Sequence, residues 1–278
     1  MSIRIEVMHT RTRGVVFVIA FVAASSLVFA QRGGGGFFGV RRPEPRTFNG
    51  TFTFCRLAVR PSYDGDGGSW GVDYPRADEN LSIRLSELTK AAVNLDEAGS
   101  PNYVVILATE PELFHCPFVA LTNYGRALIA DDEAAALRAY FQKGGFMWAD
   151  DAWGSYAWAH WLGEIRKILP AAEYPVVDLP ITHGMFHTLF NAKRIPQIPN
   201  IGFFKGSGGR TSERGYDSQQ THAWAILDPR GRVVLLTTHN TDFGDAYERE
   251  GDDPEYFYKF SVEGYAVGID VLLYTMTH

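Results

Sequence analysis

Residues 144–154, GGFMWADDAWG, place two adjacent carboxylates, Asp150 and Asp151, at the end of a short apolar run. In many α/β hydrolytic enzymes the bend between such a strand and the next helix carries a cysteine or serine nucleophile. Aspartate at this bend has three uses. It can cap the following helix by accepting hydrogen bonds from first-turn amides, worth about 1 kcal/mol. Capping and the helix dipole lower its pKa, which makes a poor general acid. One carboxylate can instead point across the carboxyl ends of the strands, where open α/β sheets bind ligands. A carboxylate nucleophile is also possible chemistry, but it needs an acid–base partner. The candidate partner is His239 in LLTTHNTD, with Asp242 three residues on. Asn123, Tyr124 and Trp153 follow or flank apolar runs and are expected to line the same crevice.

Other groupings are weaker. Asp64, Asp66 and Asp73 in YDGDGGSWGVD superficially resemble a calcium loop. Counted from Asp64, however, the fifth, sixth and twelfth places hold Gly68, Ser69 and Pro75 rather than an oxygen ligand, glycine and glutamate. Turn-closing aspartates are the simpler expectation, with an irregular calcium site as the alternative. His183 and His187 lie four apart, but Gly184 stands where a zinc protease has its glutamate, so a turn is expected. His115 and Cys116 are adjacent on an extended segment, where side chains point opposite ways. KGSGGRTSERG (205–215) lacks the phosphate-loop ending and reads as a mobile lid. No metal site is assigned, and no cofactor is implied beyond a divalent metal that the carboxylates could accept.

The elements that must position these residues alternate. Residues 51–60, 102–109, 117–125 and 146–150 read as strands. Residues 81–95, 131–145 and 153–169 read as helices, the first with Asn80 as its cap. THAWAILD and GRVVLLTTHN form a strand pair across Asp228-Pro229-Arg230-Gly231, and 261–278 closes the chain as a helix. Near-continuously apolar strands between helices argue for a mostly parallel sheet covered on both faces, a three-layer, doubly wound α/β fold with irregular insertions in the second half.

The 278 residues are 46% hydrophobic with net charge −6, and the basic residues are scattered, which argues against a nucleic-acid partner. Three arginines, an apolar run and the small residues Val28 and Ala30 before Gln31 read as a cleavable signal peptide over residues 1–30, with an uncleaved anchor as the alternative. The expectation is a periplasmic or secreted protein with no membrane span after cleavage. Residues 31–49 read as a flexible Gly/Arg/Pro-rich tail and 50–278 as the folded domain. Cys55 and Cys116 could pair in an oxidising compartment, or sit as buried apolar thiols, which is the commoner state in such surroundings.

In their order along the chain, FTFCRLAVRPSYDGDGGSW, YPRADENLSIRLSELT, LRAYFQKGGFMWADD, LPITHGMFHTLFN and RIPQIPNIG resemble the bacterial family catalogued as domain of unknown function 4159, over roughly residues 50–278. That family is similar to the class I glutamine amidotransferase-like superfamily, including trehalose-utilisation-type proteins. The resemblance implies a flavodoxin-like sheet and no established reaction. The superfamily's Gly-x-Cys-x-Gly elbow would fall at Asp150 and Asp151, and its triad histidine at His239 before Asp242. A cysteine-dependent glutaminase is therefore not expected. The reading is an exported domain binding a small polar ligand or an envelope partner at the strand ends. The alternatives are a hydrolase, metal-assisted or not, using Asp150, Asp151 and His239, and a non-catalytic subunit of an envelope complex.

Overall fold

The computed structural model describes residues 39–44 and 47–278, and Arg41–His278 form one compact unit. The signal-peptide expectation lies outside the described residues. Among the described residues no helix is long and apolar enough to cross a membrane.

Apolar runs too short for helices become the strands β1 (Phe54–Leu57), β3 (Tyr103–Ile106), β4 (Phe118–Thr122), β6 (Phe146–Asp150) and β9 (Val233–His239). The short β2 (Arg60–Pro61) and β5 (Ala127–Leu128) pair with each other, while β7 (Val176–Asp178) and β8 (His222–Leu227) join the main sheet. Its order is β3-β1-β4-β6-β9-β8-β7. The first five are parallel, and β8 and β7 complete the edge antiparallel to their neighbours. The carboxyl ends of β1, β4, β6 and β9 therefore lie side by side.

The helices are α1 (Arg76–Leu88), α2 (Asp131–Gln142), α3 (Gly154–Ile168), α4 (Ile201–Gly206), α5 (Phe243–Glu248), α6 (Pro254–Tyr256) and α7 (Val262–Thr277). Alternation along the strands sends side chains to two separate cores. Phe54, Phe146, Trp148 and Leu236 pack with Leu81, Leu85, Phe243 and Leu272. Cys55, Leu57, Met147 and Leu235 pack with Leu137, Trp161 and Ile165. This bears out a mostly parallel α/β sheet with helices.

Three local expectations need correction. Helix α1 begins at Arg76, not Asn80. The acids Asp78 and Glu79 occupy its first turn, and Asn80 lies inside it, donating to the Tyr247 carbonyl at 2.8 Å. The tail is not free over its whole length. The Val105 amide donates to the Arg41 carbonyl at 2.9 Å, and the Arg42 guanidinium donates to the Val105 carbonyl at 3.0 Å, so residues 41–42 are held against β3. The glycine-rich 205–215 segment is seated rather than loose, through Arg214 on Asp66 at 3.0 Å and Glu213 on the Asn200 amide at 2.7 Å.

Cys55 and Cys116 form a disulfide that ties the middle of β1 to the entry of β4, rather than remaining buried thiols. It closes a loop with a sequence separation of 61. Loop-closure entropy for that length corresponds to about 4 kcal/mol. Replacing both cysteines (Cys55→Ala with Cys116→Ala) should lower the urea unfolding free energy by about that amount. An unchanged midpoint would show that the bridge contributes nothing.

Candidate functional site

The strand ends share one backbone feature. Asn123 follows β4 directly, Asp151 follows β6 and Asn240 follows β9, each in the left-handed region (φ 55°, 62° and 61°). Asp73, ahead of α1, is a fourth, with φ 63°. Asn and Asp tolerate this region better than other residues with a side chain, because they can hydrogen-bond locally. All four are buried. At the three strand ends the left-handed step turns the chain, and Asn123 thereby reaches Asp151 while Asn240 reaches the Gly154 amide.

Asp150 and Asp151 do not cap α3, contrary to the simplest sequence expectation. The Asp150 carboxylate accepts from Thr238 Oγ1 and from the amides of Phe243 (2.7 Å) and Gly244 (3.3 Å), so it caps α5 instead. Asp151 accepts from Asn123 Nδ2, whose own Oδ1 accepts from the Gly68 amide. The reason is geometric: the left-handed turn at Asp151 directs its carboxylate away from the helix that follows, and buried Trp153 takes the capping position without a side-chain bond. The first α3 amides are satisfied from the second half of the chain. Asn240 Oδ1 accepts from Gly154 N at 2.8 Å, and Asp217 Oδ2 accepts from Ser155 N at 2.8 Å and Ser155 Oγ at 3.1 Å. Gly154 has φ 80°, and a side chain there would also press on Asp217. An anion arriving at this helix end would find its donors taken.

Asp73 reaches the site through a buried clamp. Arg56 on β1 and Asp78 on α1 are both almost fully buried and paired in a bidentate contact. The free arm of Arg56 donates to the carbonyls of Trp70 and Val72, both at 3.1 Å, and to Thr122 Oγ1. Holding these carbonyls fixes the backbone up to Asp73. There its carboxylate meets those of Asp242 and Asp245, one oxygen of each lying within 4.8 Å of the others. Asp242 caps α5 through the Asp245 amide (2.8 Å), and Asp245 accepts from the Ile201 amide (2.6 Å). Asp73 Oδ2 is buried with no hydrogen-bond partner among the described residues.

Burial dominates the electrostatics. It raises Asp150 to about 7, opposed by the Thr238, Phe243 and Gly244 hydrogen bonds. Burial, then the charge of Asp245, raises Asp73 to about 8. Burial followed by neighbouring carboxylates pushes Asp151 and Asp242 well above the usual range. Asp245 rises to about 6 through burial, held down by the Ile201 amide and Arg249. Asp73, Asp150, Asp151, Asp242 and Asp245 thus form a buried group of acids that burial holds toward the protonated form. Tyr124, fully buried against Trp161, has an unpartnered hydroxyl whose ionisation is suppressed by burial and by Asp150 and Asp151.

His239 does not join this group. Its Nε2 contacts the Gly154 carbonyl at 3.0 Å, and its ring stacks on Trp158 and His222. Burial lowers its pKa to about 4. No hydrogen bond among the described residues links it to Asp150, Asp151 or Asp242. The predicted residues are therefore split: Asp150, Asp151, Asp242, Asn123 and Tyr124 gather, whereas His239 belongs to an aromatic stack and Trp153 to the α3 entry. Nor is the gathering place an open crevice. The cavity touching Asp150 holds about 30 Å³, shared with Arg56, Trp148 and Gly244, room for about one water. A groove of about 650 Å³ lies at the opposite ends of β6 and β9, beside Lys143, Arg230 and Arg232.

The weaker groupings resolve simply. Of the proposed calcium-loop acids only Asp73 is buried, while Asp66 pairs with Arg214. His183 and His187 lie on a short 3-10 turn. His183 accepts from the Met185 amide at 3.2 Å, and His187 contacts the Ile181 carbonyl at 2.8 Å. His115 stacks on Phe48, and Cys116 is spent in the disulfide.

Residues 54–276 match the family described as Domain of unknown function (DUF4159). The chain belongs to this family. No curated protein matches it. The match begins at β1 and ends within α7, so it takes in every residue of the carboxylate cluster of this DUF4159 domain. Sequence reading missed Arg56, Asp78, Asp245 and Asn240. The recoverable signal was the polar residue ending each apolar run, LTN, ADD and THN, which marks three neighbouring strand ends.

The raised carboxyl groups set the direction of the pH response. A group whose folded pKa exceeds its unfolded value of about 3.9 keeps a proton that the unfolded chain has released. Stability therefore falls as pH rises from the unfolded value through about 6, 7 and 8, the positions of Asp245, Asp150 and Asp73. In buffer stripped of divalent ions, the DUF4159 domain should melt at lower temperature at pH 8 than at pH 5. Calorimetry showing the opposite slope would contradict the burial of these carboxyl groups.

Proposed function

We propose that the domain is an exported, amidotransferase-like body whose strand carboxyl ends bind a small polar ligand without covalent catalysis. The observation that carries this reading is the convergence of Asp73, Asp150, Asp151, Asp242 and Asp245 in a buried region with no matching number of cations. Like charges gathered away from water lower stability, and strained or repulsive groupings of this kind mark sites kept for a ligand. A cationic or strongly polar ligand is the complement. The dimensions favour something small, since the adjoining cavity is about 30 Å³.

The superfamily assignment is supported by the parallel strand order, by the helices packed against both cores, and by the sharp left-handed turn after β6 where amidotransferases carry their nucleophile. A three-layer, doubly wound arrangement accords with the two cores. Glutaminase chemistry lacks support: both cysteines are in the disulfide, and the α3 amides are occupied by Asn240 and Asp217. Hydrolysis by Asp150, Asp151 and His239 lacks the required contact, because His239 points into its stack. Export is supported by the leader-like residues 1–30 and by the disulfide, which persists in oxidising compartments.

The test is Asp151→Asn, which retains an acceptor for Asn123 while removing one charge. At a pH alkaline enough to ionise the raised Asp151 carboxyl, the variant should melt higher, by roughly 2–4 °C per 1 kcal/mol of relieved repulsion. In a thermal-shift screen of small polar and cationic solutes, the wild type should be stabilised and the variant much less so. A lower melting point with an unchanged solute response would return Asp151 to a purely structural role.

A further inference from the structure

We propose that Asp73, Asp242 and Asp245 form a binding site for a hard divalent cation of the calcium type. This deepens the ligand-site reading above and rests on it for the location of the site, while naming the chemical class of what binds.

The geometry comes first. One carboxylate oxygen from each residue lies within 4.8 Å of the other two. Opposite ligands of a calcium ion, at 2.3–2.6 Å each, stand about 4.6–5.2 Å apart, so a single ion can bridge this group. The donors are all oxygen, with no histidine or cysteine in the set, which suits calcium or magnesium and not structural zinc.

The second observation is independent of the clustering. Asp73 is 5% exposed, and among the described residues its Oδ2 has no hydrogen-bond donor. A buried carboxylate oxygen of this kind is a group that a cation or a water would satisfy. The surrounding cations are committed elsewhere. Arg56 is spent on Asp78 and the loop carbonyls, and Arg249 approaches Asp245 only at 3.7 Å while serving Glu248 and Asp252.

The other two ligands are braced for coordination. Asp242 Oδ1 is held by the Asp245 amide and Asp245 Oδ2 by the Ile201 amide. This leaves Asp242 Oδ2 without a hydrogen bond and Asp245 Oδ1 with only the long Arg249 approach. Such bonds orient a carboxylate toward a metal from behind. Gly244 lies between the two acids in sequence, and a Cβ there would collide with Asp73 Oδ2. The glycine is what lets the first carboxylate close on the other two. The ligands come from the loop ahead of α1 and from the start of α5, so a bound ion would also tie that loop to α5.

Isothermal titration of the chelator-treated full chain with calcium chloride tests this. The expected result is one saturable site with Kd of about 10⁻³ M or tighter, the range of extracellular calcium modules. Asp73→Asn, which tolerates the same left-handed backbone, should weaken binding at least about tenfold, and Gly244→Ala should weaken it without removing a charge. Asp64→Asn, at an exposed acid outside the cluster, should stay within about threefold. If Asp73→Asn fails to fold by circular dichroism, Asp242→Asn takes its place, since it keeps the capping oxygen. No saturable binding of calcium or magnesium at millimolar concentration overturns the proposal, as does an Asp73→Asn affinity equal to wild type. If calcium fails to bind while small polar solutes still stabilise the wild type and not Asp151→Asn, the ligand-site reading stands and the cation assignment falls.

Discussion

The buried ion pair of Arg56 with Asp78 is the contact on which the arrangement of this domain depends. An ion pair taken wholly out of water gains little over an apolar replacement, but removing one partner strands a charge, typically at 3–5 kcal/mol. Here the pair has positional consequences beyond its own energy. The arginine starts from β1, binds α1 through Asp78, reaches β4 through Thr122, and pins the loop carbonyls of Trp70 and Val72. Each is a hydrogen bond to a charged donor, stronger than a neutral one. Strand, helix and loop are thereby fixed around one guanidinium, and Asp73 is the next residue along the pinned loop.

That anchoring explains how like charges can be held together at all. Left to itself a carboxylate at the Asp73 position would swing toward solvent, away from Asp242 and Asp245. The clamp denies the loop that freedom, and the amides of α5 and α4 hold the other carboxylates in place from behind. Stability is given up locally and supplied by the two apolar cores and the Cys55–Cys116 bridge, which lies on the other face of β1 from Arg56. The division is physically sensible. Residues 55 and 56 point to opposite faces, so one strand carries a covalent tie into one core and the electrostatic clamp into the other.

How far this could be read from sequence follows the same logic of distance along the chain. The apolar runs at 103–106, 118–122 and 146–150 and the strand pair around Asp228-Pro229-Arg230-Gly231 declare themselves, because their signals are local. The adjacent Asp150 and Asp151 were visible for the same reason. Their partners were not. Asp150 caps a helix 93 residues later, and the amides it was expected to hold are taken by Asn240 and Asp217 from the far half of the chain. Helix α5 itself, six residues of FGDAYE, is too short for periodicity to reveal and is stabilised by caps from Asp150 and Asp242. His239 was placed after the right strand but on the wrong side of it. Alternation sends Thr238 toward Asp150 and His239 toward Trp158.

The exchange of capping partners also bears on what kind of chemistry this bend can support. A nucleophile at a strand-to-helix elbow works because the residue sits in a tight left-handed turn while the amides beyond it remain free for a developing oxyanion. Here the first half of that arrangement is present, since Asp151 has φ 62°, and the second is absent, since Gly154 and Ser155 already donate to side chains. The turn still aims a polar group along the strand ends, but it aims a carboxylate toward other carboxylates. In that setting an approaching anion would be repelled once the acids are ionised. The same backbone device that elsewhere exposes a nucleophile here turns an acid toward other acids, and the polarity of the site, more than its fold, decides what it can support.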